Sequence, residues 1–271
     1  MLFLIEKKEK EDIEEFIVKN LIKKEKYLHQ YVELSLDDFY FKNKLLNKDN
    51  FPKEYKNAIP VGDIPFVTAW LNIFKGIKKQ NPIEIPNILR TDEFLKRKYS
   101  IVTSDKIPTS GNYFIKDVSE LKSFSYIGDL EYLINDEIFN KPKEFDASLH
   151  LNKDHLFQIS EVVDILSEYR VYIIDNKIQA IEYYDGDPTI FPDIQLIQKA
   201  NLLYSTQKDC PKSYSLDVMV NKKGTSIIEI HNFSSLGLYS NVWGTNLLYA
   251  YIDGIDYTVN HNTKIETFSN F

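Results

Sequence analysis

The chain has 271 residues, a formal net charge of −7, 43% hydrophobic residues and 27% charged residues. This composition excludes a disordered chain and suffices for one large domain or two modest ones. The acidic balance argues against a broad nucleic-acid footprint, and the single cysteine, Cys210, excludes an intrachain disulfide and a cysteine-based zinc site.

The apolar segments of the chain are short. Residues 1–5 are fewer than the apolar region of a signal peptide requires, and a run of charged residues follows them. No stretch approaches the ~20 apolar residues of a membrane-spanning helix. We therefore expect a cytoplasmic protein without a membrane partner.

The first hundred residues predict short helices separated by proline-containing loops. Residues 7–26 carry apolar side chains at helical spacing, and residues 66–74 resemble a short amphipathic helix. Residues 92–98 fit one or two further helical turns. We interpret residues 1–100 as a separate N-terminal α/β region.

From residue 101 the pattern changes to strands. Apolar runs cover residues 156–166, 169–174 and 178–184, and the turn signal at 175–177 joins the last two into a hairpin. Residues 193–204 then show helical periodicity. This order of elements predicts an α+β fold built on antiparallel sheets.

A second predicted hairpin carries two acidic residues. Asp217 and Glu229 are each set into a strand-like apolar run, and the Asn-Lys-Lys-Gly segment at 221–224 is a turn signal between them. Two adjacent carboxylates in a half-buried strand pair call for a cation, and oxygen ligands favour Mg²⁺ or Mn²⁺. On this pattern alone, an ordinary hairpin with both acids in solvent stays open.

Several charged residues upstream fit a phosphate-binding or nucleotide-binding role. Lys116 ends an apolar strand, and Arg170 lies within one, where its guanidinium can hold a phosphate or carboxylate through two bonds. Glu161 and Glu168 stand on either side of a crossover between two strands. Each residue alone also fits a surface charge, and Glu168 and Arg170 also fit a surface ion pair.

In combination these features resemble the ATP-grasp superfamily, and within it a clade of stand-alone proteins often found in phage and bacterial genomes. The order is a lysine-ending strand, two spaced glutamates, an arginine-bearing strand, and an Asp and a Glu on a closing hairpin. The resemblance covers about residues 59–245. The matching motifs are Ile59-Pro60-Val61-Gly62-Asp63, Phe114-Ile115-Lys116, Ser167-Glu168-Tyr169-Arg170-Val171-Tyr172, Glu229-Ile230-His231-Asn232 and Leu236-Gly237-Leu238-Tyr239.

The resemblance implies two α+β lobes with antiparallel sheets that grip ATP between them. Lobe one would span about residues 101–160 and lobe two about residues 161–271, so the ATP-grasp domain would cover 101–271. The region 1–100 would be a pre-ATP-grasp domain.

The resemblance also implies roles for individual residues. Asp217, Glu229 and Asn232 would bind Mg²⁺, with Mn²⁺ as an alternative. The residues implied in binding ATP are Lys116 and Lys122 at the phosphates, Arg97 in place of an upstream lysine, Glu161 and Val163 at the adenine hinge, Glu168 near the ribose, and Arg170 at the transferred phosphoryl group.

One position departs from the common Glu-x-Asn pattern of the superfamily. The asparagine would fall at His231, whereas Asn232 comes one residue later. Either a bulge presents Asn232 to the metal, which is the interpretation favoured here, or His231 occupies the usual position. A neutral imidazole is a poorer Mg²⁺ ligand than an amide oxygen.

The function implied is an ATP- and Mg-dependent carboxylate–amine ligase that works through an acyl phosphate and releases ADP and phosphate. Its partners would be a carboxylate-bearing small molecule or peptide and an amine nucleophile. The alternatives are a phosphotransferase and a non-catalytic nucleotide-binding interaction protein. A nucleotidyltransferase with an adenylated Lys116 is less favoured, because the chain lacks Asp-Gly two residues on. The sequence predicts neither the substrates nor the oligomeric state.

Overall fold

The computed structural model describes residues 1–78, 80, 83–118, 125–131, 156–239, 244–261 and 268–269. The strands of these residues form sheets of three, four and five strands and one two-stranded ribbon. Among the same residues, no helix is both long enough and apolar enough to cross a bilayer.

The three-stranded sheet is parallel and belongs to the N-terminal region. In chain order this region contains β1 (Leu2–Glu6), α1 (Ile13–Lys24), β2 (Gln30–Leu34), the ribbon β3 (Tyr40–Phe41) and β4 (Lys44–Leu45), β5 (Ile59–Val61) and α2 (Ile64–Lys75). β1 lies between β2 and β5. Phe3, Leu4 and Ile5 are fully buried, as expected for a central parallel strand that is covered on both faces.

The remainder of the chain forms the two antiparallel sheets and three helices. These elements are α3 (Asp92–Leu95), β6 (Tyr99–Thr103), β7 (Asn112–Asp117), β8 (Ser125–Asp129), β9 (Leu156–Glu161), β10 (Ile165–Ile174), β11 (Lys177–Gly186), α4 (Ile194–Ser205), β12 (Tyr214–Asn221), β13 (Gly224–Asn232), α5 (Asn246–Asn260) and β14 (Phe268–Ser269). The five-stranded sheet has the order β14-β6-β9-β7-β8, and the four-stranded sheet has the order β11-β10-β12-β13. The predicted α+β class with antiparallel sheets is therefore confirmed.

The local predictions also hold in this region. β10 and β11 form the predicted hairpin, and β12 and β13 form the second one. α4 occupies the predicted helical segment and is capped at its start by Asp193, whose carboxylate accepts the backbone N–H groups of Gln195 and Leu196.

The two faces of β10 serve different purposes. Tyr169, Val171 and Ile173 pack into the core that α4 covers. Strand alternation turns Arg170 and Tyr172 to the opposite face. Tyr172 joins the core around the N-terminal sheet, and Arg170 lies at the edge of that core. The fold thus places a buried guanidinium between the N-terminal region and the four-stranded sheet.

The helix α5 packs against the N-terminal sheet, although it comes late in the chain. Leu247, Leu248 and Tyr251 are fully buried in the same core as β1. This core draws residues from both sides of position 100. The boundary between an N-terminal domain (1–100) and the following domain therefore stays a prediction from the sequence.

Candidate functional site

Three charged side chains form a row across the four-stranded sheet. The register places Arg170 of β10 opposite Asp217 of β12, and Asp217 opposite Glu229 of β13. Directly opposite residues in an antiparallel sheet point to the same face. The hairpin therefore holds Asp217 and Glu229 side by side, as its sequence predicts, and the neighbouring strand adds a cation.

Arg170 and Asp217 form a two-pronged ion pair. The Nε and Nη2 atoms of Arg170 donate to the two carboxylate oxygens of Asp217 at 2.8 and 2.7 Å. Burial raises the pKa of Asp217, but the hydrogen bonds from Arg170 outweigh burial and hold this pKa below its usual range. Arg170 also donates from Nη1 to the carbonyl of Gly237 at 3.2 Å. Both charges are thus held in the ionised form at neutral pH.

Lys116 reaches this row from the other sheet. It lies on β7 of the five-stranded sheet, and its Nζ is 2.6 Å from Oε2 of Glu229. The two side chains are half-buried. The predicted phosphate lysine and the predicted metal carboxylate therefore meet where the two antiparallel sheets face each other.

His231 completes a cluster with the two acids. Its Nε2 lies 2.8 Å from Oε1 of Glu229 and 3.6 Å from Oδ2 of Asp217. Burial opposes protonation of His231, but the two carboxylates outweigh burial and raise its pKa. One ligand atom from each of the three residues lies within 4.8 Å of the others.

This donor set fits a divalent cation. The Nε2 of His231 is buried and makes no hydrogen bond of acceptable geometry, although two carboxylates face it. A nitrogen lone pair and carboxylate oxygens that converge in this way suit a metal ion. Two carboxylates suit Mg²⁺, and the imidazole adds affinity for Mn²⁺.

The structure does not bring Asn232 to this cluster. Asn232 follows His231 and so lies on the opposite face of β13. Its Oδ1 accepts the backbone N–H of Ser234, and its Nδ2 donates to Oγ1 of Thr258 at 2.7 Å. The irregularity in the hairpin lies between Asp217 and Val218 of β12, and it leaves His231 beside Glu229.

The predicted adenine hinge lines a cavity of its own. Residues 161–164, between β9 and β10, enclose about 230 Å³ together with the turn at 221–223. Glu161 and Val163 are half-buried there. Glu168 lies two residues before Arg170 on β10, and burial raises its pKa despite a hydrogen bond from Tyr184.

Two further predicted residues are not part of the cluster as described. Arg97 is buried, and its Nη1 donates to the carbonyls of Ile227 at 2.7 Å and Leu95 at 3.2 Å. Burial lowers the pKa of Arg97 to about 10. Lys122 lies outside the described residues.

Sequence reasoning left out two tyrosines that cover Arg170. The rings of Tyr184 and Tyr239 stack at 5.2 Å with an angle of 17°. The guanidinium carbon of Arg170 lies 5.0 Å from the ring centre of Tyr239 and 6.0 Å from that of Tyr184. The aromatic faces thus add to the electrostatic hold on Arg170.

Glu84 is a further acid at the site that the sequence interpretation missed. It lines a small cavity of about 30 Å³ together with Lys116, Glu229 and His231. Tyr99 donates its hydroxyl to Oε2 of Glu84 at 3.1 Å, and burial raises the pKa of Glu84. Its sequence signal is the one that marks Asp217 and Glu229, an acid between two isoleucines.

Comparisons with known proteins agree with this geometry. Residues 94–243, more than half of the chain, match a family of ATP-grasp domains that is described as the second family of its clade. No curated protein matches the chain significantly.

Solved structures give matches over nearly the whole chain. The D-alanine–D-alanine ligase from Bacillus anthracis matches with a TM-score of 0.51 and 14% identity, over 94% of this chain and 97% of that chain. The macrocyclase MdnC from Microcystis aeruginosa MRC, bound with precursor peptide MdnA, gives a TM-score of 0.46 and 12% identity, over 94% and 100%. The first of these likenesses supports the fold, and the family match and the fold together show that the chain belongs to this family of the ATP-grasp superfamily.

Proposed function

We propose that the protein is an ATP-dependent carboxylate–amine ligase. The observation that carries the proposal is the row Arg170–Asp217–Glu229, which Lys116 completes from the opposite sheet. Two carboxylates and two cations converge here in a cleft between antiparallel sheets. This is the charge pattern that a metal–nucleotide complex needs, because acids bind the metal and bases bind the phosphates.

In this proposal Asp217, Glu229 and His231 hold Mg²⁺ or Mn²⁺. The ion, when bound, supplies charge neutralisation at the β- and γ-phosphate oxygens. Lys116 contacts the phosphates, and Arg170 balances the charge of the phosphoryl group that is transferred. Asn232 supports the strand end and does not ligate.

The nucleotide roles of the remaining residues follow the cavities. The backbone of Glu161 and Val163 contacts the adenine, and Glu168 accepts a ribose hydroxyl. Lys122 stays a proposed phosphate contact. Arg97 acts from behind the site, because its guanidinium is bonded to the carbonyl of Ile227 on β13.

The reaction has two displacements. A substrate carboxylate oxygen attacks the γ-phosphorus, the bond to the β–γ bridging oxygen breaks, and ADP leaves. An amine nitrogen then attacks the acyl carbon, the carbon–oxygen bond breaks, inorganic phosphate leaves and the nitrogen loses a proton. The protein contributes mainly by positioning the groups and stabilising charge, since Lys116 and Arg170 lie on rigid strands.

The test is an assay of ADP release by the purified protein over panels of carboxylates and amines, with and without Mg²⁺ or Mn²⁺. We expect turnover only when a carboxylate, an amine and a metal are all present. Asp217→Asn and Glu229→Gln should lose it, whereas Asp209→Asn, at an exposed position, should retain it. Full activity in both acid variants would overturn the metal assignment.

Two other outcomes would replace the ligase proposal. A stable phosphorylated product that forms without an amine would identify a phosphotransferase. Tight ATP binding without turnover across the panels would identify a nucleotide-binding interaction protein.

A further inference from the structure

A second cavity, of about 530 Å³, lies on the N-terminal side of Arg170. We call it the acidic–apolar cavity, and six of its lining side chains define it: Asp12, Glu14, Asp63, Ile13, Ile64 and Leu238. It has no part in the metal and nucleotide roles proposed above. Its size is in the range of a small-molecule site.

The topology explains why a cavity forms at this place. β1 ends at Glu6 and β5 ends at Val61, and the two strands are parallel neighbours. The cavity lies beyond these carboxyl ends, where the helices α1 and α2 begin. Crevices outside the carboxyl ends of parallel strands are the usual binding places in such sheets. Gly62 keeps the crevice open, because a Cβ there would lie 2.5 Å from Cβ of Glu6.

The surroundings of the cavity carry an excess of negative charge. Lys8 is the cation that the acids meet, and its Nζ lies 2.6 Å from Asp12, 2.9 Å from Glu15 and 3.0 Å from Asp63. Glu14 is an additional carboxylate that Lys8 does not bond. One ammonium thus serves several carboxylates, and the charge of the group stays negative.

Glu14 points independently to a ligand. It is only 8% exposed, and it lines the cavity. Its Oε1 accepts the hydroxyl of Tyr251 at 2.6 Å, and no donor among the described residues reaches its Oε2. Burial raises the pKa of Glu14 to about 8. A cation or N–H donor in the cavity would satisfy this oxygen and offset the cost of burying its charge.

The opposite side of the cavity is apolar. Ile13 is 43% exposed and Ile64 is 39% exposed, although both are large aliphatic side chains. Leu238 closes the cavity from the segment after β13. A ligand with one cationic end and one aliphatic part would cover both kinds of surface.

We propose that the acidic–apolar cavity binds the amine substrate of the ligase, with its ammonium group at Glu14 and its aliphatic part on Ile13 and Ile64. The link to catalysis rests on the proposed function. Its structural basis is Gly237, which lines the cavity and also accepts the Nη1 of Arg170 at 3.2 Å. The amine site and the phosphoryl-binding arginine therefore share a wall.

The test is a titration of the full-length protein, free of nucleotide, with 3-methylbutylamine, followed by protein NMR. The matched neutral probe is 3-methylbutan-1-ol, which has the same aliphatic part without the charge. We expect the amine to bind with shifts at residues around the cavity, and the alcohol to bind at least ~tenfold more weakly. Equal binding of the two probes would overturn the proposal.

Variants test the role of Glu14 in the same titration. Glu14→Gln should weaken amine binding roughly tenfold or more, whereas Glu9→Gln removes a charge from an exposed position outside the cavity and should change nothing. Should Glu14→Gln fail to fold, Asp63→Asn, at a 64% exposed side chain, gives the same comparison. Undiminished affinity in the variant that folds would overturn the proposal. Because no nucleotide is present, this result does not depend on whether the protein turns over ATP.

Discussion

The Nζ of Lys116 lies 2.6 Å from Oε2 of Glu229, although 113 residues separate the two in the chain. The contact joins the five-stranded sheet to the four-stranded sheet. In the ligand-free cleft, the lysine predicted to bind phosphate thus neutralises an acid predicted to bind the metal. A metal–nucleotide complex would exchange this pair for two separate partnerships, one for each charge.

We expect Lys116→Ala to weaken ATP binding about 10- to 100-fold, because a charge-assisted hydrogen bond contributes roughly 1.5–3 kcal/mol. Isothermal titration calorimetry with ATP and Mg²⁺ measures the change. Lys208→Ala removes an exposed lysine and serves as the control. Unchanged affinity in Lys116→Ala would remove Lys116 from the nucleotide site.

Removal of Arg170 should make the fold depend on divalent cations. Arg170→Gln leaves Asp217 buried without its ion pair, which costs roughly 3–5 kcal/mol. Mg²⁺ at Asp217 and Glu229 should return part of this free energy, so it should stabilise the variant more than the wild type. Urea denaturation with and without Mg²⁺ measures the difference. The double variant Arg170→Gln/Asp217→Asn should show no such gain, and equal Mg²⁺ effects in all three proteins would contradict the metal site.

Asn232 and His231 should separate stability from metal binding. Asn232→Ala removes the hydrogen bonds to Ser234 and Thr258, and we expect a loss of about 0.5–2 kcal/mol in the free energy of unfolding with unchanged metal dependence of turnover. His231→Asn should keep metal-dependent turnover and reduce the preference for Mn²⁺ over Mg²⁺, because an amide oxygen replaces the imidazole. Loss of metal dependence in a stable Asn232→Ala protein would return the ligand role to Asn232.

Glu14 should make the protein less stable as the pH rises. Its pKa is about 8 in the fold against an ordinary value of 4.5, so its stabilising contribution is full below pH 4.5 and is lost as the pH rises to about 8. Glu14→Gln lacks this dependence and should exceed the wild type by a few kcal/mol at pH 9, since each pKa unit corresponds to about 1.4 kcal/mol. Urea denaturation between pH 4 and pH 9 measures both curves.

The exposed variant Glu9→Gln should follow the wild-type curve. Parallel curves for Glu14→Gln and the wild type would show that Glu14 titrates at its ordinary pKa.

The sequence predicts those features that depend on local pattern. The helical spacing of α1 and α4, the turn signals of the two hairpins and the acids within apolar runs all lie within a few residues of one another. Glu84 has the same local signal, but it lies next to a single β-bridge, between Ile83 and Ile230, and not in a strand. The pattern therefore marks the acid and not its place in the site.

What the sequence does not predict depends on contacts between distant segments. Arg97 looks like a phosphate ligand by its position in the chain, yet its guanidinium is bonded to the carbonyl of Ile227, 130 residues away. The choice between His231 and Asn232 depends on the face of β13 and on Thr258 of α5. Such choices become visible only when packing fixes which way each side chain points.

The bond between Tyr251 and Glu14 spans 237 residues. Because α5 completes the core around β1, that core stays open during synthesis until residues 246–260 have emerged from the ribosome. The first strand to be made must therefore wait for one of the last helices. We expect nascent chains that stop before residue 246 to leave the N-terminal sheet sensitive to protease, and the acidic–apolar cavity to take its final form only late in folding.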